Sequence, residues 1–488
     1  MASSPLAGLV PARRMPLKNC FSNLFQGPAR TFSTLFVLNL AAGLFVMLAL
    51  PHLFPSAHLG LGLFIGDSTS IHSGALRILE SWRGQGLSGR MFTAHPALHD
   101  WLVATVYFIL PAHPLSFLPL QAASMALAGT LFAGLLHRFH FSHPACISGA
   151  LFLSLNPQTF EWSTQLLRDG IFLAAIFLCL RGLVCARPWA GVLMGVSASL
   201  WILLARPHWI RVLAVVVGIF FSVQLAIFLL KIWKRERSAF PSTSLGCFLV
   251  MLLCYGGIRG LPEPYQRVFV SYEAVNREAR LNQAPKNPVP EPSETDYKMP
   301  VWEACRPLWL NSLLFEVYNL RLERIKIGGR SIMDETRFLN SFSEQLAYLP
   351  RALQIGLFAP FPNEIWQGSP DGRQSSSLKK NRTWPQEGLG GKTTGLARKI
   401  MPWLTLFCSV SLAGLVFPLF DARKRPGIFM LILFCLPQLV LLAMVSPNLG
   451  TLVRLRYPFY APLVCAGLAA LVDQRRVWKT GPVEKIRN

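Results

Sequence analysis

The feature that most restricts this chain is the recurrence of apolar stretches close to the length of a bilayer crossing. "TFSTLFVLNLAAGLFVMLALPHLF" (31–54) is the first, and others follow near 115–136, 144–157, 170–186, 188–205, 208–230, 241–257, 400–420, 427–446 and 453–472. A helix needs roughly 20 such residues to cross a hydrocarbon core about 30 Å thick. The chain is 52% hydrophobic and only 15% charged, with a mean hydropathy of +0.40. Together these predict one all-α membrane body of about ten spans rather than a set of soluble domains.

Charge placement orients the spans. The net charge of +23 would suggest nucleic acid in a soluble protein, but here the basic residues sit in short runs between apolar stretches, so no nucleic-acid partner is expected. A basic head with Arg13, Arg14, Lys18 and Arg30 precedes the first stretch. At 24 residues that stretch exceeds the roughly 7–15 of a signal-peptide core, so an uncleaved span with its N-terminus inside is expected. Arg181 with Arg187, "KIWKRER" (231–237), "DARKR" (421–425) and "DQRRVWK" (473–479) then belong to the cytoplasmic side, as does the C-terminus.

The long polar insert, 258–399, falls outside, with twenty Lys and Arg against fifteen acids. Parity settles the front half. Asp67 follows one span, and Asp169 must also lie outside if Arg181 is inside, so an even number of spans separates them. "HRFHFSH" (137–143) suits the inside, which leaves "ALHDWLVATVYFIL" (97–110) flat or re-entrant on the outer face. The organisation read from this is a module over 1–257 with a first outer loop at 55–114, an outer region over 258–399 with an amphipathic helix at 343–362 lying over the cavity, and a C-terminal segment, 400–488, of three spans and a basic tail.

Of ten cysteines only Cys305 lies in the insert, so no disulfide can form within it, and the chain carries no CxxC, Walker loop, GxGxxG, HExxH or internal repeat. The sequon "NRT" (381–383) is a weak signal on its own. The acids say more. Fifteen of the 24 lie in the insert, and none of the rest lies mid-span. An acid at the bilayer centre costs about 2.5–3.5 kcal/mol on insertion scales, a cost that ion-coupled carriers accept. Here Asp67, Glu80, Asp100, Glu161 and Asp169 gather instead in the first two outer loops, which points to a site at the membrane surface.

In "LFIGDSTSIHSGALRI" (63–78), Gly66 makes a turn, Asp67 or Ser68 can cap a helix, and Ile71, Ala75, Ile78 and Leu79 recur at helical spacing. Asp67 either caps this surface helix or stands beside the headgroups as a general base for an incoming hydroxyl. One span, an acid opening a surface helix, two more spans, then "LSLNPQTFEWSTQLLRDGIFLAAIFL" with Asp169 opening the next helix: this order, over residues 30–230, resembles the GT-C superfamily of membrane glycosyltransferases, relatives of the protein mannosyltransferases and aminoarabinose transferases. The resemblance implies a polyprenyl-phosphate sugar as donor, a glycan, lipid or protein acceptor, and a bacterial inner (plasma) membrane with the site on the periplasmic face. It puts Asp67 in the place of the first-loop catalytic aspartate and Asp169 in that of the second-loop acid. The family often carries a paired "DE" or "DD", whereas here Ser68 follows Asp67 and His72 stands further on, so a divalent metal cofactor is left open without support from paired carboxylates.

The last span adds "SPNLGTLVRLRYPFYAPLV" (446–464), whose Arg454 and Arg456 run against the positive-inside trend. They either snorkel to headgroups or hold a phosphate leaving group, which guanidinium forks suit. With Arg168, Arg206 and His208 they make a basic rim, and His72 is counted among the substrate contacts. A lipid-linked glycan polymerase or ligase would use such arginines without needing Asp67. In a non-enzymatic scaffold or flippase the same residues would be caps and lipid anchors.

Overall fold

Helices are the only regular elements among the described residues, as a backbone without water must satisfy its own polar groups. The structure is a computed structural model that describes residues 27–53, 59–63, 66–85, 98–156, 164–185, 187–207, 209–234, 241–260, 308–327, 333–334, 337, 339–359, 394–420 and 426–480. Glu161, His208, Cys305 and the sequon at 381–383 lie outside these.

In chain order the helices are α1 (Pro28–Leu53), α2 (Gly66–Gln85), α3 (Leu98–Ile109), α4 (Leu118–Arg138), α5 (His143–Leu155), α6 (Asp169–Leu183), α7 (Pro188–Ala205) and α8 (Trp209–Trp233). There follow α9 (Ser242–Gly260), α10 (Leu308–Ile327), α11 (Phe342–Phe358), α12 (Thr394–Ala413), α13 (Val416–Phe420), α14 (Pro426–Val445) and α15 (Leu449–Thr480). Among the described residues, seven stretches are long and apolar enough to cross a membrane: α1, Pro114–Arg138, α7, α8, α9, Gly427–Val445 and Thr451–Gln474. Three stretches read from the sequence as spans are shorter. α5 has 13 residues and α6 has 15, about 20 and 22 Å at 1.5 Å per residue. The apolar run Trp403–Leu419 is interrupted by a turn at 414–415 between α12 and α13.

α6 is the central element. All its residues but Leu178 and Arg181 are buried, and it packs against α4, α7, α9 and α15. A helix encased in this way does not need the full bilayer thickness, because its neighbours and not lipid surround it. α8 shows the opposite pattern, with Val215, Ile219, Ile227, Leu229 and Leu230 exposed on its outer face. Apolar side chains in that number on a surface call for lipid.

Two ends of the bundle can be told apart by their contacts. At one, the Ser142 amide donates to Asp473 Oδ1 (3.2 Å), and Arg138 donates to the Val184 carbonyl that ends α6. "HRFHFSH" and "DQRRVWK" therefore share an end. At the other lie Asp67, Asp169, Arg206 and Arg454, joined in one ion-pair chain, with the described part of the insert beside the start of α15, where the Met333 amide meets the Pro447 carbonyl (2.9 Å).

α2 and α3 make a crossed layer at this second end. Ile71, Ala75, Ile78 and Leu79, at the spacing read from the sequence, are all buried, as are Val103, Ala104 and Tyr107 on α3. The crossing is close at Gly74: a Cβ there would lie 2.7 Å from Asp100 Oδ2. Trp82 closes the joint against the rings of Trp101 and Phe108, at 5.7 and 5.9 Å.

The insert's helices pack on α14. Arg321 on α10 is wholly buried and donates to the carbonyls of Arg337 (2.7 Å), Met444 (2.9 Å) and Asp334 (3.0 Å), with its guanidinium over the Tyr348 ring. α11 opens on an N-cap in which Ser341 Oγ accepts from the Glu344 amide, while Glu344 reaches back to accept from the amide of Asn340, just before the cap. α11 overlaps the amphipathic stretch 343–362, of which 360–362 lie outside the described residues, and it packs on α14.

Candidate functional site

Four charged side chains from four segments form one chain of contacts. Asp67 Oδ2 on α2 meets Arg454 Nη1 on α15, across 387 residues of sequence. The same guanidinium donates through Nε to Asp169 Oδ2 at 3.2 Å, and Asp169 Oδ1 accepts from Arg206 Nη2 at 2.5 Å. Burial rises from Asp67 through Arg454 to the inner pair, Asp169 and Arg206. The side chain of Asp67 is 56% exposed, Arg454 23%, Asp169 3% and Arg206 8%. This gradient separates the two carboxylates. Both oxygens of Asp169 are held by arginines inside the protein. Asp67 reaches solvent, and its Oδ1 makes no hydrogen bond among the described residues.

Local sequence builds each position. α7 ends at Ala205, and Arg206 leaves the helix with its amide still bonded to the Ile202 carbonyl, so its side chain turns inward over the Phe172 ring (5.5 Å). Phe172, Trp209 and Phe459 pack ring on ring beneath, Trp209 and Phe459 at 5.0 Å, giving the charged chain a stiff apolar floor. Arg206 Nε is buried without a partner among the described residues, a donor that an anion would satisfy.

Asp169 is the first residue of α6, with Arg168 as its N-cap residue, so its carboxylate is not a cap but an arginine partner. The turn before it is tied down from three sides. Gln121 Nε2 donates to the carbonyls of Gln165 (3.1 Å) and Leu167, and His99 Nε2 meets the Leu166 carbonyl at 3.2 Å. A carbonyl only accepts, so His99 carries its proton on Nε2. Burial pushes its pKa down to about 3, which keeps it neutral. Gln165 Nε2 reaches the Gly62 carbonyl at 3.4 Å, joining the turn before Asp169 to the turn before Asp67. That second turn needs its glycine: Gly62 has φ +74° and sits against the Met47 backbone, where no Cβ would fit.

Asp67 also departs from the capping alternative. α2 begins at Gly66, Asp67 lies in its first turn, and Ser68 Oγ is buried with no partner among the described residues.

The remaining sequence-read residues divide. Arg168 is half-buried and lies within electrostatic reach of Arg206 and His99. His72 turns to α3, its Nδ1 at 2.9 Å from the Tyr107 hydroxyl, and serves as a joint between surface helices. Arg456 is corrected outright: it is buried, and its guanidinium binds the carbonyls of Ile355, Gly356 and Ala359 at the end of α11 and lies over the Tyr460 ring. Residues two apart on a helix point about 200° apart, so Arg454 and Arg456 cannot serve one site. Arg456→Ala should therefore leave the ion-pair chain intact and loosen α11, seen as faster proteolysis of the insert with no change at Asp67.

His99, Gln121 and Gln165 were not visible as site residues, since amides and a buried imidazole inside apolar text carry no signal of what they hold. Asp100 is the further surprise. It is 2% exposed, with Oδ1 unpartnered among the described residues, and burial pushes its carboxyl up to about 7 against the pull of Arg168 and Arg77. The fold accommodates the neutral acid. Between the unfolded value near 4 and about 7 the unfolded chain ionises and the folded one does not, so stability falls as pH rises through this window. Asp100→Asn should abolish that slope and melt a few degrees above the parent at pH 8. Equal pH profiles for the two proteins would refute the assignment.

A divalent metal does not fit this donor set: Asp169 is saturated by arginines, Asp67 is paired with one, and no three His, Cys, Asp or Glu side chains converge among the described residues. No family model, no curated protein and no solved structure matches the chain.

Proposed function

We propose that the protein is a GT-C type membrane glycosyltransferase that moves a sugar from a polyprenyl-phosphate carrier to a glycan, lipid or protein acceptor at the outer face of a bacterial inner membrane. In this reading the chain crosses ten times with both termini inside. The short α5 and α6 and the interrupted α12–α13 run cross within the shelter of the longer helices. The single observation that carries the reading is the meeting of Asp67 with Arg454 at one end of the bundle. Transfer from a phosphate-linked sugar needs a carboxylate to take the acceptor's proton and a cation to hold the charge left on the carrier phosphate, on either side of one anomeric carbon.

Asp67, the exposed member, is the base. Arg454, with the unpartnered Nε of Arg206 behind it and Arg168 near, receives the phosphate. Asp169 takes no proton in this scheme, because both its oxygens are committed to arginines.

The test is mass analysis of surface glycans from cells carrying the gene, lacking it, or carrying Asp67→Asn. Loss of one sugar in the last two supports transfer. Loss of long chains alone would replace the reading with a polymerase or ligase, and unchanged glycans on gene loss would end it.

A further inference from the structure

Arg454 holds two carboxylates of very different exposure with one guanidinium, and the two bonds differ in strength for that reason. Its Nε bond goes to Asp169, whose other oxygen is locked by Arg206 in the protein interior. Its Nη1 bond goes to Asp67, whose side chain is more than half exposed. Exposed ion pairs are worth about 0–1 kcal/mol, whereas breaking a buried pair strands an uncompensated charge. The Nη2 group makes no hydrogen bond among the described residues. With Nε committed to Asp169, the edge of the fork left to a phosphate is Nη1 with Nη2, and Asp67 occupies half of it. A bidentate phosphate and Asp67 therefore compete for one edge.

We infer that Arg454 changes partners in the reaction cycle: it covers Asp67 while the site is empty, and a polyprenyl-linked phosphate takes its outer edge and releases Asp67 as a free carboxylate. Asp169 is then a positioning residue that keeps the guanidinium in place when Asp67 lets go. This rests on the proposed donor-phosphate site and adds an order of events to it. The oxygen of Asp67 that Arg454 covers, Oδ2, is thereby opened to an acceptor hydroxyl only when donor phosphate is in place. In the transfer itself the acceptor's O–H proton passes to Asp67 and the acceptor oxygen bonds to the anomeric carbon. The bond from that carbon to the phosphate oxygen breaks with its electron pair on the phosphate, and the carrier leaves with one more negative charge, facing Arg454.

The partner change has a direct readout. The full chain in detergent is treated with a water-soluble carbodiimide and an amine, and labelling at each carboxylate is read by mass spectrometry. Adding undecaprenyl phosphate, or butyl phosphate as a probe too small to cover the site, should raise labelling of Asp67 severalfold and leave Asp169 unlabelled. Undecaprenol and phosphatidylglycerol should not. In Arg454→Gln, labelling of Asp67 should be high from the start and indifferent to phosphate. If native mass spectrometry shows undecaprenyl phosphate bound while labelling of Asp67 stays flat or falls with both probes, the exchange is wrong and the donor site survives. Equal release by phosphatidylglycerol would make Arg454 a headgroup anchor and overturn the exchange, and no bound undecaprenyl phosphate at all would remove site and exchange together.

Discussion

Asp67→Asn is expected to lower the rate of sugar transfer by about 10²- to 10⁴-fold, the usual contribution of a general base, while folding and donor binding persist. The measurement is transfer of labelled sugar from a polyprenyl-phosphate donor to membranes of a strain lacking the gene. The loss should fall on kcat, because the amide keeps the shape of the carboxylate and fails only at accepting the proton. Stability should change by no more than about 1 kcal/mol, since the lost ion pair is largely exposed. A variant with a normal rate would leave Asp67 as a partner of Arg454 and nothing more. A variant that fails to bind donor would mean that Asp67 acts by holding Arg454 in place, and Arg454→Lys would then show the same defect.

The architecture was legible because its cause is coarse. A helix that crosses lipid must be apolar over its length, and α1, α4, α7, α8, α9, α14 and α15 announce themselves by that rule alone. α6 was legible only as an apolar run. That it lies at the centre, too short to cross unaided, depends on neighbours that no local pattern describes. The site was half visible. Asp67 and Asp169 stand out as acids opening helices in the first two outer loops of a chain that keeps acids out of its spans, Arg454 as a cation against the positive-inside trend, and Arg206 as part of the same basic rim. Arg456 stood out by the same rule and was assigned to the wrong place, although its spacing of two from Arg454 already argued against a shared face. Gln121, Gln165 and His99 could not be found this way. Their work is to satisfy carbonyls of a turn before α6, and the need for those bonds arises only after the turn is buried.

Asp169→Asn is expected to destabilise the protein by about 3–5 kcal/mol, far more than any change at Asp67, because it leaves Arg206 as a buried cation without its counter-charge. Thermal unfolding of the solubilised chain measures this, with Asp67→Asn as the exposed comparison. The claim can be separated from a general sensitivity of α6. If the damage is an uncompensated charge, removing that charge as well should repair it, so Asp169→Asn combined with Arg206→Met should recover most of the loss, the methionine resting over the Phe172 ring where the guanidinium lay. The double variant should still transfer poorly, since Arg454 then has no fixed carboxylate on its inner side and swings free with the donor. A double variant no more stable than Asp169→Asn would place the damage in the turn before α6 rather than in the ion pair. A single variant that melts with the parent would mean that Asp169 is wetter than its 3% exposure indicates, and it would return to contention as a second reacting carboxylate.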